Sequence, residues 1–325
     1  MKKLIMALLI GSMVFGLTAC GSAAATSETA EADTAAVSEP EEAGAETAET
    51  DTAAAETEEA AAEADSEAAA ETDAAAFTVG DKIKSIQEKG VLVVGCDASY
   101  APYSFVDVTS GNTDPVGIDI EIAKILADRL GVELKLEPMI FNAVISALAT
   151  DKLDVVIDGV TPSDEQRETV DFSKEYMTCA EGIIIKKEDA DQFKSCEDFG
   201  GYTVAANIGS SEERFVKECL PGATLLSLDK IPSSMMELQA GNVAGVCMEK
   251  TVGQQYVDAY DNLTWSEASD DSFNSVKAIA VNKGNDDLLE LVNTLIDECV
   301  DSGKIDEWLA VYSKQAAEMN KANAE

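Results

Sequence analysis

Residues 151–173, DKLDVVIDGVTPSDEQRETVDFS, place a strand end, a polar turn and a helix start in direct succession. The β-branched run VVI predicts a short buried strand, and the following TP ends it. Ser163 then precedes Gln166 at the spacing of a capping box, in which each side chain satisfies a free backbone N–H of the other residue. Open α/β sheets bind small ligands at such a junction of strand end and helix N-terminus. The stretch therefore predicts a non-covalent site for a small molecule.

The composition excludes several kinds of catalytic site. The chain has no histidine, which removes Ser-His and Cys-His catalysis and the commonest zinc ligand. Acid-only sites can hold Ca²⁺, but no loop shows the ligand spacing for it. We therefore expect no catalytic residue, no metal and no cofactor.

The N-terminus predicts export. Lys2 and Lys3 precede an apolar stretch over residues 4–17, which fits the hydrophobic region of a signal peptide over residues 1–19. It is short for a membrane span, which needs about 20 apolar residues. The stretch ends in LTAC, which resembles a bacterial lipobox and implies cleavage before Cys20 and a lipid on its thiol. An ordinary signal peptide followed by a chance cysteine is the alternative.

Residues 21–76 are almost wholly Ala, Glu, Thr, Asp and Ser, with 17 acidic residues and no Lys or Arg. Such a segment buries too little apolar surface to offset its chain entropy. We interpret residues 20–76 as a lipidated cysteine and a disordered acidic tether, with a specific partner for the acidic run as the alternative. Residues 77–325 hold 45 acidic and 21 basic residues, and this net negative charge argues against nucleic acid and anionic lipid as partners.

The remaining cysteines leave two interpretations open. Besides Cys20 there are Cys96, Cys179, Cys196, Cys219, Cys247 and Cys299, without CxxC spacing. An even number in an exported protein permits disulfides. Buried free thiols are the alternative.

Strand and helix patterns alternate along residues 77–325. The predicted strands are residues 91–95, 134–136, 155–157, 182–186, 202–205, 243–248 and 278–281. The predicted helices are residues 117–130, 141–149, 211–218, 234–240, 286–301 and 306–320. This alternation predicts an α/β fold with mainly parallel sheets.

Several segments resemble the family 3 extracellular solute-binding proteins, and they occur in that family's order. GIDIEI at residues 117–122 is similar to the family consensus. The other matching segments are DASYAPY at 97–103, FNAVI at 141–145, GVTP at 159–162, VDFS at 170–173, GSSE at 209–212 and EK at 249–250. Together the resemblance covers residues from about 85 to 315.

The resemblance implies a two-lobed type II periplasmic-binding-protein fold, each lobe a mainly parallel sheet flanked by helices, joined by two hinge strands. The first lobe is expected at residues 77–182 and 276–325, and the second at 183–275. Ligand binding is expected to shift the lobes to a closed state that a permease recognises. The chain is identified as a monomeric, extracytoplasmic receptor, anchored to the cell membrane by its lipid, that delivers a polar amino acid to an ABC importer.

The same resemblance implies ligand-binding residues. Asp97 and Glu249, one from each lobe, are expected to hold the ligand ammonium. Tyr100 and Phe141 are expected to sandwich the ligand side chain, with a cation–π gain if it is basic. Tyr103 is expected to be either a third wall or a packing residue.

The carboxylate end of the ligand is expected to meet hydrogen-bond donors. Gly159 and Thr161 would offer backbone and hydroxyl groups. Ser210 and Ser211 would donate from a helix N-terminus, which is a natural anion site. Plain helix capping by these serines is the alternative, and both roles are compatible.

Two positions depart from the family pattern. Gln166 stands where the family has a carboxylate-binding arginine. Arg167 is one step later, and one residue along a helix rotates a side chain by about 100°. Glutamine supplies no charge and no cationic fork. Asp158 stands where the family often has a small Ser or Ala.

These departures predict an acidic pocket that holds Asp97, Asp158, Glu249 and Glu212 and no cation. We expect a net cationic ligand, either a basic amino acid such as lysine or arginine or a small polyamine-like amine. A neutral amino acid held by serines and backbone groups is the alternative.

Two other functions compete with solute binding. A dehydratase-like enzyme on the same fold would use Glu249 or Asp158 as a carboxylic acid of raised pKa. A ligand sensor would signal through a partner.

Overall fold

The computed structural model describes residues 79–111, 113–268 and 273–324. The predicted signal peptide, the lipidation site Cys20 and the predicted tether lie outside the described residues. The strands are β1 Val91–Cys96, β2 Ser99–Tyr100, β3 Ser104–Phe105, β4 Glu133–Pro138, β5 Val155–Val160, β6 Val170–Phe172, β7 Met177–Lys186, β8 Thr203–Asn207, β9 Thr224–Leu228, β10 Gly245–Glu249, β11 Leu263–Trp265 and β12 Asn274–Asn282. The helices are α1 Asp81–Lys89, α2 Ile118–Leu130, α3 Phe141–Ala149, α4 Asp164–Thr169, α5 Ser211–Cys219, α6 Ile231–Ala240, α7 Lys250–Ala259, α8 Asp286–Asp301 and α9 Lys304–Ala324, with short 3-10 turns at Lys187–Asp189 and Cys196–Phe199.

The main sheet contains two parallel units. Its strand order is β4-β1-β5-β12-β7-β10-β8-β9, with β6 beside β12 and β11 beside β7. Strand β1 pairs in parallel with β4 and β5, and β8 pairs in parallel with β9 and β10. We call the unit built on β4-β1-β5 the first lobe and the unit built on β10-β8-β9 the second lobe. The predicted α/β fold is confirmed. The pairing within each of these two units is parallel, as predicted, but the whole sheet is mixed because β7 and β12 pair antiparallel with their neighbours.

Two long antiparallel strands join the lobes. Strands β7 and β12 pair with each other from Ala180 opposite Asn274 to Met177 opposite Lys277. Beyond this segment β12 continues along β5 in the first lobe, and β7 continues along β10 in the second. The register of β12 against β5 shifts between Ala278 and Ala280. Side chains on the shared segment therefore lie at the junction of the lobes.

Helix α2 shows how sequence pattern sets the first-lobe packing. Its apolar positions Ile118, Ile122, Leu126 and Leu130 recur at helical spacing and are all buried. Gly131 follows at φ 69°, the left-handed conformation that ends helices and favours glycine. The predicted stop of this helix is confirmed.

The second lobe has its own apolar core. Ile183, Val204, Phe199 and Phe215 are fully buried there. Burying one such side chain stabilises a fold by roughly 1.5–3 kcal/mol. Phe193 stacks on Phe199 with ring centroids 4.6 Å apart.

Several elements were not predicted from sequence. They are α1, α7 and the short strands β2, β3, β6, β9 and β11. Strand β7 begins at Met177, five residues before the predicted strand start at Gly182, because its first half, MTCAE, lacks the β-branched run that identifies the second half.

The described residues settle two smaller questions. None of their helices is both long and apolar enough to cross a membrane. Cys96, Cys179, Cys247 and Cys299 are buried thiols rather than disulfide partners.

Candidate ligand-binding site

A small pocket lies between the lobes, at the strand ends of the two parallel units. It leaves room for about one water molecule. Its lining residues are Tyr100, Phe141, Gly159, Thr161, Asn207, Ser210, Ser211, Glu212 and Lys277. Seven of these were predicted as ligand-binding residues from the sequence; Asn207 and Lys277 were not.

Three carboxylates converge beside this pocket. Glu181 on β7, Glu212 on α5 and Glu249 at the end of β10 each bring an oxygen within 4.8 Å of the other two. We call them the glutamate cluster. All three are buried, with 3%, 4% and 0% of their surface exposed. A group of buried like charges is unfavourable unless a cation balances it.

Burial and mutual repulsion raise the pKa of two of these carboxyls. The pKa of Glu181 lies well above its usual value because the group is buried and faces Glu212 and Glu249. The pKa of Glu212 is raised by burial and then by Glu249. Both oxygens of Glu181 lack a hydrogen-bond partner. Ser211 lowers the pKa of Glu181 by a smaller amount. The Ser211 hydroxyl lies 3.4 Å from both Thr161 Oγ1 and Glu212 Oε2 and can donate its one proton to either.

Lys277 on β12 brings a cation into the cluster. Its ammonium forms an ion pair with Glu249 Oε1. Its Nζ also lies 3.3 Å from Thr161 Oγ1 and 3.4 Å from Tyr100 Oη. Burial alone would lower the pKa of Lys277, but Glu249 and Glu212 outweigh burial and raise it. Lys277 is therefore protonated at neutral pH.

The prediction of a pocket without a cation is wrong. Lys277 falls within the hinge strand predicted near residues 276–281, but no role in the pocket was predicted for it. Glu181 directly precedes the strand predicted at 182–186. Each is a charged residue next to a run of buried apolar residues. A charged residue in that place is buried when the strand extends by one residue, so the sequence could have identified both as candidates for the pocket.

Glu249 is the most heavily bonded member of the cluster. It accepts hydrogen bonds from Tyr103 Oη at 3.0 Å, Ser275 Oγ at 3.1 Å and Thr251 Oγ1 at 3.3 Å. Together with Lys277 these donors fix its carboxylate. Because Tyr103 belongs to the first lobe and Glu249 to the second, one of these bonds crosses the cleft.

The aromatic residues form a stacked wall. The rings of Tyr100 and Tyr103 lie 5.0 Å apart at 26°, and the Lys277 ammonium lies 5.6 Å and 5.4 Å from their centroids. Phe141 begins α3 and is 9% exposed. Tyr103 is fully buried, so it supports Tyr100 from behind and donates to Glu249.

Gly159 makes the close approach of Tyr100 possible. Its φ is 55°, and a Cβ added there would lie 2.6 Å from Tyr100 Cε1. A side chain at this position would therefore clash with the ring and strain the backbone. Gly159 therefore has a structural role, which is to make room for the Tyr100 ring.

Asp97 and Asp158 lie away from the described pocket lining. Asp97 Oδ1 accepts from the backbone and hydroxyl of Ser99 at 2.8 Å and 2.6 Å. Asp158 Oδ1 accepts the Asp97 N–H at 2.6 Å. Burial raises the pKa of Asp158 well above its usual value. The hydrogen bond between the two aspartates thus connects the residue after β1 to β5.

Gln166 is engaged by its own helix. Its Oε1 accepts the Ser163 N–H at 3.0 Å, and Ser163 Oγ accepts the Gln166 N–H at 3.2 Å. The predicted capping box is confirmed. The Arg167 guanidinium lies 5.4 Å from the centroid of Phe172 and is not part of the pocket lining.

The start of α5 is also occupied. Ser210 is the N-cap, and its Oγ accepts the Glu213 N–H at 3.3 Å and donates to Asn207 O at 2.6 Å. Burial and Glu249 raise the pKa of Glu212, and the neighbouring Ser210 hydroxyl and the backbone N–H of Glu212 itself lower it by a smaller amount. The anion site expected at this helix N-terminus therefore already holds the Glu212 carboxylate.

A further buried acid lies in the first lobe. Asp119 in the first turn of α2 accepts the Tyr176 hydroxyl at 2.7 Å. Burial raises its pKa to about 6. Its other oxygen has no hydrogen-bond partner.

A ligand pocket between two α/β lobes that are joined by two strands defines the two-lobed, type II periplasmic-binding-protein-like fold that the sequence predicted. A sequence profile of the bacterial extracellular solute-binding proteins, family 3, matches residues 92–315. The chain belongs to this family.

Individual relatives agree with this assignment. The L-cystine-binding protein TcyJ of Escherichia coli (strain K12) is 28% identical over 223 residues, which is 69% of this chain and 82% of the relative. A solved structure of the amino acid ABC transporter substrate-binding protein AbpA from Streptococcus pneumoniae Canada MDR_19A, bound to L-arginine, has 32% identity and a TM-score of 0.69, and covers 72% of this chain and 99% of AbpA. The ancestral amino acid-binding protein AncCDT-1, a precursor of cyclohexadienyl dehydratase, has 30% identity and a TM-score of 0.65, and covers 71% of this chain and 99% of AncCDT-1.

Proposed function

We propose that this protein is the extracytoplasmic receptor of an ABC importer and binds a cationic amino acid in the pocket between its lobes. The observation that carries the proposal is the glutamate cluster. Three buried carboxylates face one lysine, and Glu181 accepts no hydrogen bond.

Charge balance favours a cationic ligand. The glutamate cluster sets three buried carboxyl groups against the one ammonium of Lys277, so acidic groups outnumber the cation in this site. A basic amino acid has two cationic groups and one carboxylate, so it adds positive charge where the site lacks it. Glutamate would bring a second negative charge into a buried acidic site, which is strongly unfavourable.

The aromatic wall supports the same ligand class. A guanidinium or ammonium over the rings of Tyr100 and Phe141 gains about 0.5–2 kcal/mol from cation–π attraction. The Lys277 ammonium, 5.6 Å from the centroid of Tyr100, supports cation–π attraction at one of these two rings. The arginine bound to AbpA agrees with this ligand class.

A calorimetric panel tests the proposal. The purified protein is titrated with arginine, lysine, glutamine, glutamate and putrescine. We expect arginine or lysine to bind most tightly and glutamate not to bind. Tight glutamate binding would contradict the acidic pocket, and putrescine as the best ligand would replace the amino acid with a simple amine.

The proposal includes a lipid anchor at Cys20, a tether over residues 20–76, and a monomer that a permease recognises. The lipobox-like LTAC supports the anchor. We expect labelled palmitate to enter the wild-type protein and not Cys20→Ala, which should appear in the culture medium or the periplasm. Equal labelling of both proteins would exclude this anchor.

Binding without turnover is part of the proposal. AncCDT-1, which is named as a precursor of a dehydratase, motivates a direct check of the enzymatic alternative. Mass spectrometry of bound ligand after long incubation should recover it unchanged. A product that accumulates with the protein concentration would make the chain an enzyme.

A further inference from the structure

The pocket has a clear place for a ligand's cationic groups and no obvious place for its carboxylate. Among the lining residues that the structure describes, Lys277 is the one cationic side chain. A carboxylate that enters beside the glutamate cluster is repelled unless a cation binds it.

The other candidate groups are already engaged. Gln166 is used in the capping box of α4, and Arg167 lies against Phe172. Ser210 caps α5, and the Glu212 carboxylate lies in the same helix turn. A ligand carboxylate therefore has no vacant anion site at either helix start.

Lys277 already contacts the donors that a carboxylate would need. Its Nζ lies 3.3 Å from Thr161 Oγ1, and Ser211 Oγ lies 3.4 Å from the same Thr161 oxygen. One ammonium and two hydroxyl groups thus meet at a point that faces the pocket. Those three groups can hold one carboxylate by charge-assisted hydrogen bonds.

We propose that Lys277 is the carboxylate anchor of the ligand and determines specificity for amino acids over the corresponding amines. When the ligand binds, its α-ammonium replaces the Lys277 ammonium at Glu249, and Lys277 turns to the ligand carboxylate beside Thr161. One ion pair within the protein is exchanged for two between protein and ligand, so the charges stay balanced. The inference rests on the proposed function, because it assumes a cationic amino acid in this pocket.

Arginine and agmatine test this inference, because agmatine keeps the guanidinium and a primary amine but lacks the carboxylate. Calorimetry of the wild-type protein should show arginine at least about tenfold tighter, as expected for a charge-assisted hydrogen bond. In Lys277→Met, arginine affinity should fall to the level of agmatine, whereas Lys277→Arg should keep the preference. Lys283→Met, which removes an exposed lysine just after β12, is the matched control and should behave as wild type.

The outcomes separate the inference from the proposed function. If wild type binds arginine and agmatine equally, Lys277 is no carboxylate anchor, although the cationic pocket stands. If it binds neither, the proposed function fails. If Lys277→Met binds arginine more tightly and keeps the preference, Lys277 is an internal competitor and the inference is wrong. Should Lys277→Met be unfolded by circular dichroism, the wild-type comparison and Lys277→Arg still decide.

Discussion

Tyr103 of the first lobe donates a hydrogen bond to Glu249 of the second lobe at 3.0 Å. The same carboxylate holds Lys277, so one buried acid links the lobes to each other and to the pocket. Gln255 of the second lobe makes another crossing bond, to Ala101 O at 2.8 Å. We therefore expect closure of the cleft and binding of a ligand at the glutamate cluster to be coupled.

Loss of the Tyr103 hydroxyl should weaken ligand binding without unfolding the protein. Tyr103→Phe keeps the buried ring but removes a hydrogen bond to a charged group, which contributes roughly 1.5–3 kcal/mol. Because that bond forms across the cleft, we expect arginine affinity to fall about tenfold by calorimetry.

Tyr176→Phe is the matched control for that experiment. Its hydroxyl also donates to a buried carboxylate, Asp119, at 2.7 Å, but within the first lobe. It should lower thermal stability and leave arginine affinity within about twofold, because this hydrogen bond does not cross the cleft. Equal losses of affinity in both variants would show that the crossing bond has no special role in closure.

Glu181→Gln should change stability and affinity in opposite directions. Burial raises the pKa of Glu181, so ionisation of this carboxyl destabilises the ligand-free protein as pH rises. Glutamine cannot ionise, so the variant should be more stable than wild type at high pH. The same change removes a carboxylate that would face the ligand cation, so arginine should bind at least about tenfold more weakly. Urea unfolding and calorimetry measure the two effects.

The exposed Glu197→Gln serves as the control for Glu181→Gln and should change neither quantity. If Glu181→Gln binds arginine as well as wild type does, the ligand cation lies elsewhere.

Gln166→Glu should leave ligand binding unchanged. Glutamate also completes a capping box with Ser163, so α4 keeps both hydrogen bonds. If Gln166 contacted a cationic ligand, the added carboxylate would tighten binding clearly. We expect arginine affinity within about twofold of wild type, because the capping box directs this side chain to its own helix. A large gain in affinity would place residue 166 in the binding site.

Asp119→Asn should flatten one part of the pH dependence of stability. Burial raises the pKa of Asp119 from 3.8 to about 6. Its contribution to folding is therefore fully present below pH 3.8 and is lost as pH rises through about 6. Asparagine can still accept the Tyr176 hydrogen bond.

Urea unfolding at several pH values measures the Asp119 effect. The unfolding free energy of the variant should rise relative to wild type between about pH 4 and pH 7, by up to roughly 3 kcal/mol, and then level off. Parallel curves for the two proteins would show that Asp119 has an ordinary pKa in the folded state.

Much of the fold was predictable because local pattern and tertiary packing agree. Helix α3 and helix α8 have the predicted limits, and the capping box at Ser163 is present. The apolar residues of these helices recur at helical spacing, so local sequence and tertiary packing favour the same structure.

The site was less predictable because charge balance depends on residues distant in sequence. Glu181 and Lys277 meet Glu249 only through the antiparallel pairing of β7 with β12 and β10. No spacing rule within one segment could show this. The motif positions instead directed attention to Asp97 and Asp158, which contact each other rather than the pocket.

Citrulline and arginine provide the most direct test of a cationic ligand site. They share the α-carboxylate, the α-ammonium and nearly the same shape, and differ in whether the side-chain end is charged. Calorimetry of the wild-type protein should show arginine at least about tenfold tighter than citrulline, because both side chains can donate hydrogen bonds but only the guanidinium brings a positive charge to the glutamate cluster. Equal or tighter binding of citrulline would show that the glutamate cluster does not hold the charge of the ligand.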